Sequence, residues 1–174
     1  MRRGAARLAA AALLLSLAAC ATAPPRPAPD LAGRLALRIE AGAGAAARSL
    51  TTQFELRGDA QNGELQLSTP LGSTAAQARW RPGAAELITP GGTRRYDGLD
   101  ALAQDMLGET MPLAALIDWL RGRPWSGAPN TPSGGGFEQL GWRIDLSRFA
   151  EGWVVAARDT APALLVRARL EKAE

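Results

Sequence analysis

From residue 33 onward, apolar and polar side chains alternate with a period of two. Leu35, Leu37 and Ile39 interleave with Arg34, Arg38 and Glu40, and Leu50, Thr52, Phe54 and Leu56 with Thr51, Gln53, Glu55 and Arg57. The same rhythm runs through Leu65 and Leu67, then through Ala76, Ala78 and Trp80. Successive side chains of an extended chain point to opposite sides, so each run predicts a strand with one apolar and one polar face. Turn residues separate the runs: Gly58-Asp59, Asn62-Gly63, Pro70-Leu71-Gly72, Pro82-Gly83 and Pro90-Gly91-Gly92. Strands at this spacing, joined by short turns, read as an antiparallel meander.

After Asp97 the period lengthens. Leu99, Leu102, Met106 and Leu107 recur at helical spacing, with Asp97 as the expected N-cap and Gly108 as the stop. A second helix opens at Pro112, carries Leu113, Leu116, Ile117 and Leu120 on one stripe, and ends at Gly122. Residues 123–136 are rich in Pro, Gly, Ser and Asn and read as a long loop. Strand alternation returns in Trp142, Ile144 and Leu146, in Trp153 and Val155 after a Glu151-Gly152 turn, and in Leu164, Val166, Ala168 and Leu170. The fold class predicted is mainly β with helical cover (α+β), in one domain over residues 31–174.

The first thirty residues differ in character. Arg2 and Arg3 precede an apolar run over residues 8–17, which is shorter than the roughly 20 residues of a membrane span. The run ends in Leu17-Ala18-Ala19-Cys20, which resembles the lipobox of bacterial lipoproteins. That resemblance implies a signal peptide over residues 1–19 and lipid attachment at Cys20, the chain's one cysteine. Ala21 rather than Asp follows it, which by the same resemblance favours the outer membrane over retention at the inner one. Pro24, Pro25, Pro27 and Pro29 exclude a core strand or helix, so residues 20–30 read as the lipidated cysteine and an extended tether. At about 3.1 Å per residue this tether reaches on the order of 30 Å.

Charge and composition narrow the chemistry. There are 20 basic and 17 acidic residues, but Arg2, Arg3 and Arg7 lie in the signal, so the remainder is formally neutral. A nucleic-acid partner held by bulk positive charge is disfavoured. With no His and one Cys, an intramolecular disulfide, a His/Cys zinc cluster, a Ser-His-Asp triad and a Cys-His dyad are excluded, and no metal or cofactor is expected.

The apolar strand faces need cover. Either the sheet closes on a filled interior, or the helix pair lies across an open concave sheet and leaves apolar space rimmed by Trp80, Trp119, Trp142 and Trp153. A second feature is Thr69-Pro70-Leu71-Gly72-Ser73, which sets a large apolar residue on a hairpin tip where polar residues normally stand. Taken alone, these residues favour a Leu71 that folds back on the sheet edge or is harmlessly exposed over one with a function.

Several segments together resemble the outer-membrane lipoprotein receptor LolB family. They are Gly33-Arg34-Leu35, the run from Gly63 through Leu65, Leu67 and Thr69-Pro70-Leu71-Gly72-Ser73 to Thr74, Met111-Pro112-Leu113, Leu116-Ile117-Asp118-Trp119-Leu120-Arg121-Gly122, and Gln139-Leu140-Gly141-Trp142. The resemblance implies an incomplete antiparallel β-barrel of roughly ten or eleven strands enclosing an apolar cavity, with short helices as a lid. It implies a receptor that accepts lipoproteins from the periplasmic carrier LolA, holds their acyl chains and inserts them into the outer membrane, acting as a monomer. The loop Pro70, Leu71 and Gly72 is then the membrane-insertion loop. The expected cavity lining is Leu35, Leu37, Phe54, Leu56, Leu65, Leu67, Trp80, Leu116, Trp119, Leu120, Trp142, Ile144 and Leu146. Two departures stand out: the Gly/Pro-heavy residues 127–136, and a C-terminus Glu171-Lys172-Ala173-Glu174 without an apolar tail. The rival readings are an enzyme using Glu138, Asp145 and Asp159 as paired carboxylates, and a tethered scaffold with a solid core.

Overall fold

In a computed structural model the described residues are 28–42, 46–108 and 111–171. The signal segment, Cys20 and the tether up to residue 27 lie outside them. The strands are β1 (Leu31–Ile39), β2 (Arg48–Gly58), β3 (Gly63–Ser68), β4 (Thr74–Arg81), β5 (Ala84–Thr89), β6 (Gly92–Tyr96), β7 (Asn130–Ser133), β8 (Gly136–Gln139), β9 (Trp142–Asp145), β10 (Trp153–Arg158) and β11 (Leu164–Leu170). Helices α1 (Leu99–Leu107) and α2 (Leu113–Leu120) fall between β6 and β7.

All eleven strands form one antiparallel sheet in the order β6-β5-β4-β3-β2-β1-β11-β10-β9-β8-β7. Two meanders, β1 to β6 and β7 to β11, are joined where β1 pairs with β11, from Gly33 opposite Leu170 to Ile39 opposite Leu164. No ladder joins β6 to β7 among the described residues, so the barrel is incomplete, and the helices enter the chain at that break.

The alternation predicted for β1, β2, β4 and β11 is largely the burial pattern found: Leu37, Ile39, Phe54, Leu56, Ala76, Ala78, Trp80, Leu164, Val166 and Ala168 are buried, whereas Leu35 is half-buried and Leu50 exposed. Gly63 is required beneath Trp80, because a Cβ there would stand 2.4 Å from the indole ring. In β10 the phase is the reverse of the one expected. Val154 and Ala156 face the core, while Trp153 and Val155 are half-buried on the outer side.

Residues 123–136 are not all loop. Asn130–Ser133 and the segment from Gly136 pair as a hairpin, with Pro132 opposite Phe137. Pro132 is tolerated because β7 is an edge strand, where one lost N–H donor breaks no second ladder. The N-cap of α1 is Gly98, not Asp97, with no side-chain cap bond. Gly108 ends the helix as expected, in the left-handed conformation that glycine adopts without a Cβ penalty.

The two helices sit differently. α1 packs on β5, β6 and α2 and shows an outer polar face. α2 is buried around most of its circumference, from Ala115 to Leu120, and reaches β10. Both helices form the expected cover of the incomplete barrel, with α2 the more deeply buried of the two.

Candidate functional site

Between α1 and the strands β2 to β5 lies an apolar cavity of about 120 Å³. Its walls include Leu35, Phe54, Leu56, Leu65, Leu67 and Trp80 from the sheet, and Leu116 and Leu120 from α2. Thr52 is the one polar residue lining it, and its hydroxyl is turned into the sheet, donating to the Ser68 carbonyl at 2.8 Å. The Trp80 indole N–H is also taken up, by the Asp59 carbonyl at 2.8 Å. What remains is an almost wholly apolar interior, suited to alkyl chains and hostile to water, which needs polar partners to remain inside a cavity.

Five residues expected in the lining lie elsewhere. Leu37, Trp119, Trp142, Ile144 and Leu146 do not line the cavity. Trp119, Trp142 and Ile144 are buried in the other half of the concave face, with Phe137, Val154 and Ala156. There the Trp119 and Trp142 rings meet at 5.7 Å between centroids, and side-chain volume fills the space. The amide of Gln139 completes that half. It accepts from the Trp119 indole at 2.8 Å and the Trp125 N–H at 2.9 Å, and donates to the carbonyls of Trp125 and Ala128, both at 2.7 Å. Trp153 does not line this cavity; it stands on the outer side, with the guanidinium groups of Arg148 and Arg169 over its ring.

Other lining residues were not anticipated: Leu50, Ala76, Ala78 and Leu87 from the sheet, and Leu102, Ala103 and Met106 from α1, among others. The helical stripe of α1 carried the signal for the last group. The alanines mark where small side chains leave room.

α1 is held over the cavity at two points. Asp105 accepts from the Tyr96 hydroxyl at 2.7 Å and pairs with Arg94 at 2.6 Å. At the helix end, the Arg48 guanidinium donates to the Leu107 carbonyl, a favourable place for a cation. Burial, then the Asp105 bond, raises the Tyr96 hydroxyl above its ordinary pKa.

The β3–β4 loop is a tight turn. Gly72 N–H donates to the Thr69 carbonyl at 2.8 Å and Thr69 N–H to Ser73 at 2.9 Å. With Pro70 and Leu71 central, the turn has no inward direction for the Leu71 side chain, which is 94 % exposed. Leu50, a wall of the cavity, is itself 44 % exposed.

The carboxylates of the enzyme reading each serve local structure or face water. Asp145 accepts from the Ser147 backbone and is held below its ordinary pKa by Ser147, the reverse of what a general acid needs. Asp159 pairs with Arg143 at 3.2 Å, and Glu138 is exposed on β8.

The family model described as "Outer membrane lipoprotein LolB" matches residues 30–170 of the chain. An outer-membrane lipoprotein LolB from Bordetella petrii is 36 % identical, over 93 % of this chain and 84 % of its own length. Another, from Chromobacterium violaceum, is 31 % identical over 80 % of this chain and 81 % of its own. The Bordetella pertussis protein of the same name is 40 % identical over 68 % of this chain and 59 % of its own. With the open barrel, the apolar cavity and the leucine-tipped loop, these matches show that the chain belongs to the LolB family of outer-membrane lipoproteins.

Proposed function

We propose that the chain is an outer-membrane-anchored receptor that accepts lipoproteins from the periplasmic carrier LolA, shelters their acyl chains under α1, and releases them into the bilayer beside Leu71. The observation that carries this reading is the apolar cavity, walled on one side by a helix, in a body that also exposes a leucine at the tip of the β3–β4 loop. Cys20 supplies the anchor and the prolines the tether. The receptor works as a monomer, and no covalent bond is made or broken in the transfer.

The cavity as it stands is small. At about 120 Å³ it is on the scale of engineered core cavities of about 150 Å³ that hold one benzene. Several acyl chains therefore require α1 to move outward. Met106 on α1 and Met111 just before α2 line the cavity, and both are unbranched and adapt to varied contents. Passage between two apolar cavities buries about as much alkyl surface as it exposes, so transfer is close to thermoneutral, and the bilayer then draws the chains onward.

The body can present Leu71 to the membrane that anchors it. The chain joins the body at Leu31, opposite Leu56, which pairs in turn with Leu65. Leu71 is six residues further, three of them in β3 and the rest in the turn, so it lies within roughly 20 Å at about 3.3 Å per residue. A tether reaching on the order of 30 Å spans that distance.

Leu71→Glu is expected to leave folding and cargo uptake unchanged and to slow delivery by about tenfold or more. Burying one leucine is worth about 1.5–3 kcal/mol, and each 1.4 kcal/mol is a factor of ten. Delivery at the wild-type rate would remove the loop from the mechanism. Cys20→Ala is expected to give a protein that still binds a fluorescent fatty acid saturably; no binding would favour the scaffold reading.

A further inference from the structure

The three neighbouring strands β1, β11 and β10 contain no Asp or Glu. On the outer face of β1 and β11 stand Arg34, Arg38, Arg167 and Arg169, all exposed. Arg34 and Arg169 are directly opposite each other across the β1/β11 ladder, a like-charge pairing that disfavours the sheet. Arg38 is paired with Glu40 at 2.7 Å, whereas Arg34 and Arg167 form no ion pair with any described residue and Arg169 feels the Glu151 carboxylate only at longer range. Beyond the signal segment the chain is formally neutral, so this row of charge is a matter of placement, not of composition.

Trp153 lies beside the row. The Arg169 guanidinium rests 5.1 Å from its ring centroid and that of Arg148 5.7 Å, while its buried indole N–H has no acceptor. The row also runs toward the exposed loop. Continuing the β2/β3 register beyond Gln53 opposite Ser68 brings residues 69–73 level with Leu50. Leu50 pairs with Leu37, the neighbour of Arg38, and with β2 between them the loop and the row are about 10 Å apart.

We propose that the outer face of β1, β11 and β10 docks on the anionic headgroups of a bilayer and so turns Leu71 toward that leaflet. The choice of a bilayer over an acidic protein rests on the reading of Leu71 given above. An apolar tip with a row of arginines beginning two strands away and a tryptophan beyond them has the composition of an interfacial membrane contact, with cations at the headgroups and the leucine below them. The tethered body is also never far from such a surface.

The test is co-sedimentation of the Cys20→Ala protein with vesicles of phosphatidylcholine alone and of three parts phosphatidylcholine to one of phosphatidylglycerol. Binding is expected only with phosphatidylglycerol, weakening as salt is raised. Arg34→Glu/Arg167→Glu/Arg169→Glu is expected to weaken it by roughly tenfold or more. The Arg→Gln triple variant guards against misfolding: it should bind weakly while taking up a fluorescent fatty acid normally. Equal binding to both vesicle types, or triple variants that bind like the parent, overturns the inference and leaves the cavity reading untouched. Loss of fatty-acid uptake in Cys20→Ala itself strikes at the receptor reading instead.

Discussion

The two helices cover the same concave sheet, yet the spaces beneath them differ. Under α1, small residues such as Ala76, Ala78 and Ala103 line the space and a void remains. Around α2, Trp119, Trp142 and Phe137 interlock and Gln139 ties the helix to the segment that follows it. The lesson is a division of labour within one core. The α2 half holds the barrel's shape by volume and satisfied hydrogen bonds, and this lets the α1 half go without full packing.

The sharpest way to break that comparison is Trp119→Ala. Removing a fully buried tryptophan costs about 3–5 kcal/mol, and the loss of its N–H also leaves a lone pair of the Gln139 amide unmet. Denaturant unfolding measures it, and a loss below about 1 kcal/mol would deny the α2 half its structural role. A gentler pair of variants compares two alanines on the same face of the sheet. Ala156→Leu in the filled half is expected to cost about 1–3 kcal/mol and leave fatty-acid binding intact. Ala78→Leu should be tolerated more easily and reduce that binding, because its side chain has a void to enter. Equal destabilisation with unchanged binding in both would mean that the halves do not differ.

The smallest effect concerns how α1 is held. Tyr96 is favoured in its neutral form by burial and by its bond to Asp105, so its pKa is raised above the ordinary 10.0. That stabilisation is complete below pH about 10 and is lost as pH rises through the folded value. Unfolding midpoints at pH about 9 and about 11 should show a small fall that Tyr96→Phe abolishes. An identical fall in Tyr96→Phe would place its cause elsewhere.

Much of this was legible in the chain. β1, β2 and β11 have water on one side, and their alternation of leucine with arginine, threonine or glutamate states which side. β10 offered no such phase. Trp-Val-Val-Ala-Ala is apolar throughout, and the bulkiest residue faces outward because two guanidinium groups cover it. β7 was hidden by Pro132, which a central strand would reject and an edge strand accepts. That the β3–β4 loop carries a leucine at its tip was visible from its turn residues; whether that leucine folds back or stands exposed was not, and the structure leaves it exposed. The cavity's position was not, since leucines that line a void and leucines that fill one share the same period. Only the seating of α1 and α2 separates them.

The break between β6 and β7 gives the barrel an expansion joint. Every other neighbouring strand is stitched to the next through its backbone, so stretching the wall there would tear ladders. At the break no ladder joins the two margins among the described residues, and the helices lie between them in the chain. The interior can therefore swell around a guest and shrink behind it with the eleven-stranded weave intact.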